Sequence, residues 1–134
     1  MMEPSSDYAT ESLRLAREML RDAKFMLQQQ SYRSAADRAY YAMFHAVRAA
    51  LYKDRVEIPK THAGLRNLFG QHFLLVGKLP PDVGRWLGEA FRLRQQGDYE
   101  VLTHVAKETV EGTVINAEKF VELVSGYVEK NATD

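Results

Sequence analysis

Apolar residues recur at every third and fourth position along most of this chain, and the rhythm breaks at proline, glycine and short polar clusters, so the pattern predicts helices throughout. In the first segment Ala9, Leu13, Ala16, Leu20, Ala23 and Leu27 alternate at spacings of four and three, predicting a helix from about Asp7, as N-cap, to Gln29. Arg14, Arg17, Arg21 and Lys24 run beside that seam as a basic line. After "QQQ" a second helix is expected from Ser31 to about Lys53, turning Ala36, Tyr40, Met43, Val47 and Leu51 to the core. Thr61 is placed to cap a third, "HAGLRNLFGQHFLL", whose apolar positions are Leu65, Leu68, Phe69 and Phe73.

"VGKLPPDVG" breaks the pattern again, and Pro81 suits the first turn of a fourth helix reaching about Gln96. "GDYE" precedes a last helix, from about Leu102 to Lys130, with Val110, Val114, Ala117, Val121, Val124 and Val128 inward. Helices joined by short loops pack antiparallel. The expected fold is therefore all-α, an up-and-down antiparallel four-helix bundle with one additional short helix. Residues 1–134 read as a single domain, with 1–6 as a flexible start and 131–134 as a tail.

Composition narrows the functional classes. The 18 Lys and Arg balance 18 Asp and Glu, so no net field draws the chain to nucleic acid or membrane, and an anion has to be met by a local patch. Cysteine is absent, which removes disulfides, thiolate metal sites and thiol nucleophiles. The start, "MMEPSSDYAT", lacks the charged and apolar regions of a signal peptide, and no apolar run reaches the ~20 residues of a membrane span, so a cytoplasmic, non-membrane protein is expected.

Candidate chemistry lies in three places. On the second helix Arg38, Tyr41, His45, Arg48 and Tyr52 fall on a narrow arc almost opposite the core line, either a solvated face or a surface suited to a dimer seam or a phosphate. On the fourth, Val83, Leu87 and Ala90 define an apolar line flanked by Trp86, Phe91 and Leu93, and Arg94 falls in the middle of that face. Such a guanidinium either pairs with Asp98 and the last carbonyls of its helix, or holds a phosphate while Asp98 or Tyr99 positions the reacting group. His62 occupies a first helical turn, where free N–H groups favour anions; a plain surface histidine is the alternative. His72 and His104 read as surface residues. No two histidines stand at i and i+4, and no GxGxxG, Walker or GxSxG motif occurs, so neither metal nor cofactor is expected.

The run "AADRAYYAMFHAVRAAL", then "KTHAGL", then "AFRLRQQGDYEV", resembles the HEPN family of small helical domains, in particular a stand-alone branch with a YYAMFHA-like second helix. The resemblance extends from about Ala9 to Tyr127. It implies a four-to-five-helix bundle that pairs into a homodimer, and either a metal-independent endoribonuclease, often the toxin half of a toxin–antitoxin pair, or a helper beside a minimal nucleotidyltransferase. The family's signature is an arginine followed after four to six residues by a histidine. Arg94 stands in the arginine's place, but the chain continues Gln95, Gln96, Gly97, Asp98, Tyr99, Glu100, Val101, with no histidine.

The expectation is thus a protein that binds nucleotide or RNA in a cleft lined by the second helix, the start of the third and the end of the fourth. Arg94, Asp98, His45 and His62 are the candidate catalytic residues, and Arg38, Tyr41, Arg48 and Tyr99 the ligand-binding ones. The rival expectation is a non-catalytic dimeric module or adaptor for a minimal nucleotidyltransferase, with Arg94 in a structural ion pair.

Overall fold

The structure, a computed structural model, describes the backbone of residues 4–99 and 106–130 and the side chains of residues 6–96 and 106–130. Its elements are α1 (Pro4–Gln28), α2 (Tyr32–Lys53), α3 (His62–Phe69), a π-helical turn (Gly70–Leu74), α4 (Pro81–Tyr99) and α5 (Lys107–Lys130). The long helices form the antiparallel bundle, with α3 and the π turn as the short addition, and no strand occurs among the described residues.

Local chemistry sets the ends. α1 begins at Pro4 rather than at an Asp7 cap, because proline's missing N–H needs no partner in a first turn, and Asp7 there meets the positive end of the helix. α1 stops where Gln30 takes a positive φ of 61° and the N–H of Ser31 reaches back to Met26, 2.9 Å. α2 stops the same way at Arg55, φ 59°, with Val56 N–H on Leu51. Thr61 caps α3 by accepting from Gly64 N–H at 2.9 Å. α4 runs past the expected Gln96 to Tyr99, whereas the expected start at Leu102, and His104, lie outside the described residues.

α2 is the central rod: α1, α3, α4 and α5 all pack on it, α1 most extensively. Alanines allow that closeness, since Ala35, Ala36, Ala39, Ala42, Ala46, Ala49 and Ala50 are all buried and let neighbouring backbones approach. The expected inward positions of α2 and α5 are all buried. α4 is held tightly against the π turn through Gly84, where any side chain would collide with the end of Leu74.

Enclosure by so many neighbours changes the outer arc of α2. Tyr41, His45, Arg48 and Tyr52 do not look out into water; each is half-buried, and Tyr41, Phe44 and Tyr52 pack against the core. His72 is likewise no free surface histidine. It is half-buried and bonded to Asp54 at 2.9 Å.

Candidate functional site

Three helices bring charged and aromatic groups to one place. From α4, Arg94 turns inward, its side chain only 19% exposed, and donates from Nε to Asp37 Oδ1 at 3.0 Å and from Nη2 to the Tyr41 hydroxyl at 3.2 Å. Its guanidinium carbon lies 5.0 Å from the Tyr41 ring centre and 5.4 Å from that of Tyr40, where the negative ring faces attract a cation. From the first turn of α3 comes His62, stacked on Phe44 at 4.4 Å and hydrogen-bonded through Nδ1 to the Tyr40 hydroxyl at 2.9 Å. Tyr40 and Tyr41 therefore touch both the arginine and the histidine.

The electrostatics follow from this crowding. Burial, then Arg94, then Arg66, all act against a charged imidazole and hold His62 below its ordinary pKa of 6.5, so it is neutral near pH 7. In the tautomer whose Nδ1–H donates to the Tyr40 oxygen, Nε2 carries the lone pair that can accept a proton. Burial keeps the Tyr40 hydroxyl itself protonated, above its ordinary value of 10.0, although the hydrogen bond from Arg66 opposes it. The site is thus a cationic and aromatic wall carrying one neutral base.

Among the sequence candidates, the structure brings Arg94, Tyr41 and His62 together. His45 sits one turn along α2 from Tyr41, its ring centre 6.4 Å away, and its Nδ1 is enclosed without a hydrogen-bond partner. Burial, then Arg48, lowers its pKa as well. Arg38 and Arg48 lie apart from this wall: Arg38 turns to α1, with Nη1 3.8 Å from Met19 Sδ, and Arg48 bonds the Tyr52 hydroxyl at 3.2 Å while lying over Phe44 and Tyr52. The side chains of Asp98 and Tyr99 lie outside those described.

Two contributors escaped the sequence reading. Asp37 supplies a carboxylate to Arg94, and its position four residues before Tyr41 was the available signal. Arg66 follows His62 at i+4 on α3, hence on the same face. Arg92, two residues from Arg94, is exposed and lines instead a separate groove between α4 and α5.

Both histidines have folded-state pKa values below their unfolded value of 6.5, so the unfolded chain binds more protons as pH falls through that value and stability is lost. The melting temperature should be level above about pH 7 and decline as pH drops from about 6.5 to 5, with a shallower decline in His62→Gln. An unchanged melting temperature down to about pH 5 would contradict the buried neutral imidazoles.

An all-helical bundle whose central rod and two neighbours converge on an inward arginine, a neutral histidine and two tyrosines defines a small helical domain with a cationic, aromatic cluster among three of its helices. The chain belongs to the HEPN domain family: the family's profile, described as HEPN domain, matches residues 9–127. A UPF0332 protein of Thermotoga maritima is 34% identical over 116 residues, covering 87% of each chain. A Methanocaldococcus jannaschii protein named "Putative toxin MJ0605" is 34% identical over 112 residues, covering 84% of this chain and 82% of its own. A UPF0332 protein of Gloeobacter violaceus is 32% identical over 123 residues, 91% of each chain. Among the described residues no helix is long and apolar enough to cross a membrane, and no cluster of three or more His, Cys, Asp or Glu could hold a metal ion.

Proposed function

We propose that this protein is a cytoplasmic homodimer that binds single-stranded RNA or a nucleotide through the Arg94–His62 pocket and acts as a metal-independent endoribonuclease of the toxin type. The carrying observation is that Arg94 is turned inward and shares Tyr40 and Tyr41 with a histidine held neutral. A guanidinium so placed stabilises charge building on a phosphate, and a neutral imidazole removes a proton near pH 7. His62 thereby takes the role of the histidine missing after Arg94. The toxin name carried by one relative supports the same reading.

The chemistry balances without a cofactor. The ribose 2′-oxygen attacks the adjacent phosphorus as His62 Nε2 accepts its proton, the bond from phosphorus to the 5′-oxygen breaks, and that oxygen takes a proton from water while the His62 imidazolium returns its own to solvent. The products are a 2′,3′-cyclic phosphate and a 5′-hydroxyl. Labelled RNA incubated with the protein should be cut equally with and without chelator, and His62→Ala should lower the rate by about 100-fold or more. Cleavage that disappears with chelator, or persists unchanged in His62→Ala, overturns the catalytic reading.

A second reading is favoured by the ion pair itself. Asp37 already neutralises Arg94, as it would in a non-catalytic module serving a minimal nucleotidyltransferase encoded nearby. Copurification with such a partner, together with intact RNA after prolonged incubation, is the result that reading expects.

A further inference from the structure

We propose that Arg66 is a second cation for the phosphate that Arg94 holds, so that the pocket grips one phosphodiester of single-stranded RNA between guanidiniums from two helices. The inference rests on the RNA-binding reading above and adds a residue and a geometry to it. His62 and Arg66 are four apart on α3, and Phe91 and Arg94 three apart on α4, so each helix turns its pair to one side. The Arg66 guanidinium carbon lies over the Phe91 ring, 3.5 Å from its centre, a close cation–π contact that holds the cation beside the Tyr40 ring, itself 5.7 Å from Phe91. Tyr40 in turn bonds His62 and lies under Arg94. Arg66, His62 and Arg94 therefore surround one tyrosine.

Arg66 differs from its neighbour in how its charge is met. Arg94 has the Asp37 carboxylate at 3.0 Å, whereas among the described residues no carboxylate lies within 4.0 Å of Arg66. Its Nη1 is enclosed and has no hydrogen-bond partner. Aromatic stacking compensates part of the lost hydration of a half-buried cation, and an anion compensates the rest. A guanidinium whose only purpose was packing on Phe91 would be served as well by an apolar side chain. The influence of both arginines on the His62 imidazole agrees with their flanking it.

The test is fluorescence anisotropy with a labelled single-stranded RNA across a salt series, and a parallel titration with inorganic phosphate followed by the NMR signal of the His62 ring. Arg66→Met, which keeps the stem over Phe91, should weaken RNA binding about tenfold and make the slope of log affinity against log salt shallower by about 0.7, the loss of one phosphate contact on a single strand. It should weaken inorganic phosphate as well, while Arg66→Lys retains the salt slope. If Arg66→Met binds both probes like the unmodified protein while Arg94→Met does not, Arg66 merely packs and the inference fails with the RNA reading intact. If neither substitution changes binding, the pocket is not the RNA site and both fail. Thermal melts of each variant confirm that the folded chain is being compared.

Discussion

Asp54→Ala should lower the free energy of unfolding by about 3 kcal/mol, a fall of roughly 10 °C in melting temperature for a domain of this size. The carboxylate follows α2, is 15% exposed, and gathers groups from three further segments. The Tyr127 hydroxyl of α5 lies 2.7 Å and 2.9 Å from its two oxygens, His72 of the π turn bonds it at 2.9 Å, and Lys78 approaches at 3.3 Å. Burial alone would raise the Asp54 pKa, but the hydrogen bonds from Tyr127, His72 and Lys78 outweigh it and lower it from 3.8. An ionised carboxylate only accepts, so His72 Nε2 carries the proton. Tyr127, buried and bonded to an anion, is pushed above its ordinary 10.0 and stays a donor.

Removing the carboxylate strands these donors around a cavity. Asp54→Asn, which keeps the volume and one acceptor oxygen, should cost about half as much, and Tyr127→Phe about 1 kcal/mol. Urea unfolding at neutral pH checks the series. A loss below about 1 kcal/mol for Asp54→Ala would mean that water replaces the carboxylate, and that the junction of α2, the π turn and α5 is not fastened there.

The helices were legible because each presents its apolar residues with a period near 3.6, and Val110 through Val128 on α5 read correctly despite the modest helix propensity of valine. The surroundings of α2 were less legible. Alanine carries little hydropathy, so a belt of buried alanines does not announce that a helix is covered on several sides, and the Tyr41 to Tyr52 arc therefore read as an outer face. Arg94 stood out because a guanidinium on an apolar line violates the pattern. Asp37 did not, because it lies 57 residues away in the chain and no spacing within one helix brings it to Arg94. His62 was found as a helix-start residue, but its role as neighbour to Arg94 needed the crossing of α3, α2 and α4, which no spacing within one helix encodes.

Arg94→Met should separate the structural from the functional work of that arginine when it is read against Asp37→Asn. Alone, the substitution leaves the Asp37 carboxylate, 33% exposed, without the cation that held it, and the Tyr41 hydroxyl without a donor. Because Asp37 retains contact with water, the expected loss is about 1–2 kcal/mol rather than the 3–5 of a fully buried pair broken on one side. In the double variant the stranded charge is gone, so most of that loss should return, giving a coupling of about 1 kcal/mol between the two sites. RNA affinity should follow a different course. It depends on the guanidinium and not on the pair, so Arg94→Met and the double variant should both lose about tenfold or more. Asp37→Asn alone should bind RNA at least as tightly as the unmodified protein, since it removes an anion that competes for Arg94. A double variant that recovered both stability and RNA binding would show that Arg94 serves the bundle and nothing else, and would leave His62 with no phosphate to act upon.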